Sequence, residues 1–409
     1  MTSSQRTRCV VAGGGPAGMM LGLLLARAGV EVTVLEKHAD FLRDFRGDTV
    51  HASTLRLLDE LGLGEKFEKL PYSKMTSAQL PGPNGDPVTT ADFTKLPGKY
   101  KYIAMVPQWD LLDLLAEAAA DEPTFTLRMN TEVTGPVLTG DRVTGVRYRT
   151  ADGETGEIEA DLTVAADGRT SVLRQSSGLR GKQFPVPLDV WWFRLPRFAT
   201  DAPSGLEIAA RDQEMGLTLN RDDYFQAAYF ARKGFDATLR AEGVEGFRER
   251  VAALFPRLAD RVDTIERMDD VKCLDVRLDR LTRWHTDGLL CIGDAAHAMS
   301  PIGGVGINLA VQDAVATARL LAAPLRRGRV RPAELARVRR RRLLPVVAIQ
   351  ALQNFLHRTM VEPVVTGQRG GTPALPARVL STLPALRVIP TYLIGIGPRP
   401  EHAPAFARR

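Results

Sequence analysis

The stretch CVVAGGGPAG, residues 9–18, decides the fold. Cys9 to Ala12 is a short apolar run of strand composition, and Gly13-Gly14-Gly15 ends it. Pro16 to Ala28 then has helical composition, with proline at a first-turn position that needs no N–H donor. Glu31 to Glu36 alternates as a second strand, so the chain opens on a β-α-β unit. In that setting the glycines allow a tight turn and a close approach of backbone to a pyrophosphate, while the free N–H groups and dipole of the helix face its charge. Glu36, at the end of the second strand, is placed to accept hydrogen bonds from an adenosine ribose, and an acid there repels a 2′-phosphate. Gly13, Gly15, Pro16, Ala17, Gly18, Glu36 and the adjacent Lys37 therefore describe a dinucleotide site that alone leaves FAD and NAD open.

A second stretch resolves that choice. Leu289 to Gly293 reads as a buried strand ending in Asp294, followed by Pro301-Ile302-Gly303-Gly304-Val305-Gly306-Ile307-Asn308 and a long Ala-rich helix, Gly306 to Leu321. A carboxylate at a strand end holds the ribityl hydroxyls of a flavin, which NAD lacks. The glycines then bring helix N–H groups under the flavin pyrimidine ring, where they stabilise the negative charge that develops on reduction. Between the two motifs, another strand ends in Asp167-Gly168, with Arg169 and Arg174 downstream.

Outside the motifs, Thr54 to Leu63 and Gln108 to Ala120 read as amphipathic helices. Thr131 to Leu138, Arg142 to Thr150 and Glu157 to Ala165 read as a meander of strands with turns at Gly140-Asp141 and Asp152-Gly153. From about Phe184 to Val276 the texture changes to strand-like pieces, Val190 to Leu195, Met215 to Leu219 and Tyr224 to Ala231. The expected fold is therefore α/β, a Rossmann-like cofactor domain with an inserted antiparallel-sheet lobe. Its expected parts are 1–70, 98–183 and 277–342 for FAD, 71–97 and 184–276 for substrate, and 343–409 for C-terminal helices and tail.

Composition excludes several classes. With 409 residues, 44% hydrophobic and 25% charged, the chain is an ordinary globular protein rather than a disordered or fibrous one. Its pI near 9.3 raises nucleic acid. The excess, however, sits in Arg326 to Arg342, nine arginines against the single acid Glu334, more positive charge than the whole chain's net +6. That stretch reads first as a solvated helical face and its preceding loop, with an anionic partner or a membrane surface as the other readings, and so weakens the case for nucleic acid. Cys9, Cys273 and Cys291 lie among apolar neighbours at no metal-ligand spacing, so they are expected to be buried and unpaired, with no metal. The first apolar run already belongs to the cofactor motif, and none is long enough to span a bilayer; the expectation is a cytoplasmic monomer or homodimer.

With its motifs in this order and spacing, the chain resembles the para-hydroxybenzoate hydroxylase-like FAD monooxygenases over roughly residues 5 to 345. Arg46 to Leu55, Trp191-Trp192-Phe193 and Gly293 to Gln312 are similar to a bacterial FAD-dependent oxidoreductase branch, in which Ala52 stands where proline is expected. The resemblance implies FAD contacts from Arg46, Gln108 and Val133, and contacts of Asp167-Gly168 with both FAD and a transient NADH or NADPH. It further implies that O2 adds at flavin C4a and that one oxygen atom passes to an aromatic ring or alkene of a small, aromatic or polyketide-like substrate. The protein's part is to orient that substrate and exclude water. His51 is a candidate for proton movement, and Trp192, Tyr224 and Tyr229 for the substrate wall, Tyr224 also as a catalytic group. A reductase or dehydrogenase on the same fold, or a flavin-bound protein without turnover, are the rival readings.

Overall fold

Strand Gln5–Ala12 lies between Val32–Leu35 and Thr155–Ala165, parallel to both. In the computed structural model, which describes residues 5–42, 49–81, 87–201, 206–221, 223–367 and 383–409, these strands form the middle of an eight-stranded sheet. Leu289–Cys291 adds in parallel beyond Thr155–Ala165, and Phe125–Arg128 beyond Val32–Leu35. The meander Thr131–Thr139 and Arg142–Thr150 pairs antiparallel onto Thr155–Ala165. Cys9 to Ala12 and Leu289 to Cys291 are wholly buried, as expected of parallel strands covered on both faces. The chain leaves the first strand toward Val32 and later returns on its other side, so a topological switch point lies beyond Ala12, where α/β sheets bind ligands.

Helices Pro16–Arg27 and Gly306–Arg326 pack against each other on the core. Gly293 is where they meet: a Cβ added there would touch Ala17 Cβ at 3.3 Å and Ala310 Cβ at 3.4 Å. Two helix N-termini thus open toward one space at the ends of the parallel strands. Helix Ala52–Glu60 begins with His51 as an extended N-cap, so alanine serves at the first helical position that proline also suits.

The second sheet has the order Leu206–Arg211, Glu214–Asn220, Tyr224–Arg232, Leu188–Pro196, Lys272–Leu274, antiparallel throughout. Its faces are sorted by alternation. Trp191, Phe193, Leu195, Phe225, Ala227 and Tyr229 pack with Leu239, Phe247 and Val251 of helix Asp236–Leu254. Val190, Trp192, Leu219 and Ala228 join the main core instead.

Helix Pro332–Leu356 runs unbroken through residue 343, passes into a π turn at His357–Val361, and a further helix, Val388–Gly395, precedes a returning tail. Arg342 corrects the solvated reading of the basic stretch. Although Arg337 and Arg340 are exposed, Arg342 is 1% exposed because Asp313 pairs with it inside the core. Cys9 and Cys291 are buried and Cys273, on an edge strand, is exposed, contrary to the expectation of burial; all three are free thiols. Among the described residues no helix is long and apolar enough to cross a membrane.

Candidate FAD site

The three motifs meet at the ends of the parallel strands. Gly13 donates to Leu35 O (2.8 Å), Ala166 to Ala12 O (2.8 Å) and Ile292 to Ala165 O (3.0 Å), which fixes the three turns side by side. Gly13 has φ +100°, and a Cβ there would lie 2.5 Å from Ala166 O, so the first turn and the Asp167 turn touch through backbone alone. A Cβ on Gly18 would lie 1.9 Å from Gly13 O, which packs the helix start onto the turn. By contrast, a Cβ on Gly15, Gly168 or Gly306 would meet no described atom within 4 Å. One glycine from each motif therefore faces open space, forming a cradle that side chains would fill. That cradle, with two helix N-termini aimed into it, suits a pyrophosphate and a flavin.

Glu36, 7% exposed, accepts from Gly14 N (2.9 Å) and from His38 N and Nδ1 (3.1 and 2.6 Å), which pins the carboxylate against the glycine turn. Lys37 beside it is exposed. Thr131 N donates to Glu36 O (2.8 Å), which brings half-buried Val133 to the same end of the sheet. Asp294 pairs with Arg169 (3.3 Å) and keeps a side chain 33% exposed, so this acid links two motifs and still faces outward. Asp167 accepts from Val172 N through Oδ2 (3.1 Å), while its buried Oδ1 has no partner among the described residues. Burial raises the Asp167 carboxyl above the ordinary range, against the hydrogen bonds from Ser171 and nearby backbone that lower it. An unpaired buried oxygen at the switch point is the kind of group a ligand satisfies.

Behind the acid lies a layer not foreseen from sequence. Asp313, wholly buried, accepts from Gly293 N (3.1 Å), His297 Nε2 (2.5 Å) and Arg342 Nε (3.0 Å). Burial alone would raise its carboxyl, yet His297, Arg342 and the Gly293 N–H together hold it below the usual range. Asp313 thus fixes the turn that aims Asp294. Its sequence signal is weak, one acid within an alanine-rich helix, and its partner Arg342 looks like part of a surface charge run.

Residues 6–351 match the FAD binding domain family. The chain belongs to the para-hydroxybenzoate hydroxylase-like FAD-dependent monooxygenases. It is similar to the 6-methylpretetramide 4-monooxygenase of Streptomyces rimosus, 37% identical over 322 residues that span 78% of this chain and 76% of that one. It is also similar to the 12-dehydrotetracycline 5-monooxygenase/anhydrotetracycline 6-monooxygenase of the same species, at 32% over 332 residues, 75% of this chain and 60% of that one. Among solved structures, the anhydrotetracycline hydroxylase OxyS from Streptomyces rimosus superposes with a TM-score of 0.75 at 25% identity, covering 96% of this chain and 76% of that chain. The p-nitrophenol 4-monooxygenase PnpA from Pseudomonas putida shares the fold with a TM-score of 0.77 at 21% identity, covering 94% and 97%.

Several site expectations for the monooxygenase change on the structure. His51 is wholly buried, with Nδ1 2.5 Å from Ile394 O and Nε2 3.0 Å from Gly304 O. Both nitrogens face backbone carbonyls, and burial lowers the pKa, so the neutral ring, with one N–H, donates to one of the two and anchors either the Gly304 turn or the C-terminal helix. Thr49 Oγ1 donates to the same Gly304 carbonyl (2.7 Å), and at φ +63° a Cβ on Gly304 would collide with that hydroxyl. Asn308 accepts from Ser53 (3.1 Å) and Thr54 through Oδ1, which turns that oxygen to helix Ala52–Glu60, and Ile307 is buried in the core; what they offer the cradle is the helix backbone. Tyr229 packs on Trp191 and Phe247, on the sheet face turned from the cofactor core, so it is withdrawn from the substrate wall. Trp192 and Tyr224 share the other face: Trp192 pairs with Ala228, and Tyr224, two pairs further along the same alternation, opposes Pro196. Tyr224 is half-buried under the Arg194 guanidinium, 4.8 Å from its ring. Gln108 and Pro301 are half-buried at a helix start and in the loop after Asp294. Arg46 lies outside the described residues. Among those residues no group of three or more His, Cys, Asp or Glu is placed to hold a metal.

Proposed function

We propose that this monooxygenase consumes NADH or NADPH and O2 to oxygenate an electron-rich ring of a multi-ring phenolic or polyketide-like molecule. Bound FAD supplies the electron transfer and the activation of O2. Gly13, Gly15, Pro16, Ala17 and Gly18 hold its pyrophosphate, Glu36 and Val133 its adenosine half, and Asp294 its ribityl chain, with Gln108 and Asp167-Gly168 alongside. The loop from Pro301 and the helix from Gly306 meet the pyrimidine edge. Residues 1–70, 98–183 and 277–342 serve the cofactor, and 71–97 with 184–276 the substrate.

The observation that carries the substrate reading is Trp192. It is 9% exposed, it packs with the core of the cofactor lobe, and its indole N–H has no partner among the described residues. A buried donor left unpaired in apolar surroundings suits a ligand carbonyl or phenol oxygen. Trp192 opposes Ala228, four rises along the strand from Tyr224, roughly 13 Å, a span that suits fused rings better than one ring. The relatives named for pretetramide and tetracycline substrates support the same class.

The test is turnover with 18O2, NADH or NADPH, and a panel of polycyclic phenols. The expected result is a product carrying one 18O per molecule oxidised. Nicotinamide oxidation with an unlabelled, reduced or dehydrogenated product would make the protein a reductase or dehydrogenase, and no turnover at all a flavin-bound partner.

A further inference from the structure

The loop between Asp294 and helix Gly306–Arg326 is held by side chains from outside all three cofactor motifs. Gln353 Oε1 accepts from Ser300 N (3.2 Å), and its Nε2 donates to Ser300 O (2.8 Å) and Ile302 O (2.9 Å). His357 Nε2 lies 2.9 Å from Ser300 Oγ, which also accepts from Ile302 N (3.4 Å). Gln353 and His357 are each 2% exposed and Ser300 1%. One amide thus satisfies three backbone groups of a single loop in a dry setting, where water cannot substitute for it.

His357 opens the π turn His357–Val361 that interrupts the helix directly after Leu356. Such turns alter the direction of the side chains they carry and concentrate at functional sites. Here the turn accompanies a histidine directed at the loop, four positions after Gln353. Burial pushes His357 down to about 4, so the ring is neutral at pH 7 and the contact with Ser300 does not depend on a charge there.

We infer that Gln353 and His357 are positioning residues that fix Ser300–Gly304 against the flavin ring. Through that loop they aim the N-terminal N–H groups of helix Gly306–Arg326, and so set the reduction potential of bound FAD and the share of reducing equivalents that reach product. The inference rests on the FAD reading above. Its physical core is that helix N–H groups stabilise charge arising on reduction only when they are held in place before it arises. Loosening the loop therefore makes the bound flavin harder to reduce.

Gln350 supplies a control on the same helix. It is 1% exposed, but it donates to Asp279 O (2.7 Å) and, at the limit of a bond, to Ala298 O (3.4 Å), accepts from Arg280 (2.8 Å), and has no hydrogen bond to Ser300 or Ile302 among the described residues. The experiment compares Gln353→Met, Ser300→Ala and Gln350→Met as FAD-loaded proteins by thermal melting, FAD dissociation constant and spectroelectrochemical midpoint potential. All three variants are expected to melt lower. Gln353→Met is expected to raise the FAD dissociation constant about tenfold, the loss of roughly one buried hydrogen-bonded group, and to shift the potential negative. Ser300→Ala, which removes only a hydroxyl and spares the helix if Gln353→Met does not fold, is expected to shift the potential in the same direction. Gln350→Met is expected to leave potential and affinity at the wild-type values. Equal effects of Gln353→Met and Gln350→Met, or an unmoved potential in both loop variants, would overturn the inference. A wild-type protein that binds no FAD would instead sink the cofactor reading on which it rests.

Discussion

At the scale of single residues, the site separates groups that the fold needs from groups that only a ligand needs. Gly18 and Gly15 belong to one motif but answer to different neighbours. A Cβ on Gly18 would sit 1.9 Å from Gly13 O, whereas one on Gly15 meets no described atom within 4 Å. Gly18→Ala is therefore expected to prevent folding or lower the melting temperature severely. Gly15→Val is expected to leave the apoprotein's melting temperature near wild type and weaken FAD by about a hundredfold or more, the loss of two charge-assisted bonds. Yellow protein from Gly15→Val would show that the pyrophosphate lies elsewhere. Asp167 makes the same separation through charge. Because burial raises its folded carboxyl above the unfolded value, the folded state binds more protons there and stability falls as pH rises between the two. Asp167→Asn is expected to stabilise the apoprotein at pH 7, with a gain over wild type that vanishes well below the unfolded pKa, while weakening cofactor binding. A melting-temperature difference independent of pH would show that this carboxyl carries no buried charge. The motif glycines and acids were legible in sequence because backbone geometry and ligand charge demand those residue types locally. The surroundings of His51 were not, since an imidazole in the sequence does not show that its two nitrogens will face buried backbone carbonyls from segments distant in the chain.

At the scale of elements, alternation decides what each aromatic residue does. The sequence placed strands at Val190 to Leu195 and Tyr224 to Ala231, within two residues of those observed, but not which residues of each face the main core. That depends on register: Trp192 opposes Ala228 and Trp191 opposes Tyr229, so Trp192 and Tyr229 cannot share a wall. Helix Asp236–Leu254, which covers the far face, carries little apolar periodicity and is broken at Gly243, with φ 75° and ψ −175°, so its role emerges only from the pocket it fills. Trp191 donates its indole N–H to Asp236 (2.8 Å) and packs against Tyr229, with ring centroids 5.9 Å apart. Trp191→Ala is expected to cost about 3–5 kcal/mol of stability, as for other buried large aromatics. Trp192→Phe keeps an aromatic ring, of smaller volume, and removes the unpaired donor; it is expected to lower stability less than Trp191→Ala and to retain FAD while lowering product formed per NAD(P)H consumed. Chemical denaturation and a peroxide-to-product ratio measure the two effects. Uncoupling by a folded Trp191 variant with Trp192→Phe unaffected would reverse the assignment of faces.

At the scale of the whole molecule, the tail holds the cofactor lobe together, and sequence gave little warning of it. The sequence marks this end only as helices and tail, yet Arg27 donates to Ala407 O (2.9 Å), Ala403 N to Glu60 (2.6 Å) and Arg409 N to Glu60 O (3.3 Å). Glu401 is the inward end of this strap. Its side chain is wholly buried, accepts from Arg341 at 2.6 and 2.7 Å, and stands 3.7 Å from Arg342, which holds Asp313, which in turn holds the Gly293 N–H. Glu401→Gln keeps the shape and removes the charge. It is expected to cost about 2 kcal/mol, less than the loss of a fully buried pair because Arg341 is 30% exposed and solvent screens part of the change. If the charge chain transmits that loss, Arg342 shifts toward its remaining neighbours, the Gly293 turn loosens, and FAD binds more weakly. Melting with and without saturating FAD distinguishes transmission from simple destabilisation, because ligand stabilisation depends on the dissociation constant alone at fixed ligand. The expected outcome is a lower melting temperature in both conditions and a smaller FAD-induced rise than in wild type. An equal FAD-induced rise would mean that Glu401 fastens the tail without reaching the flavin turn, and that Asp313 and Arg342 hold Gly293 independently of the strap.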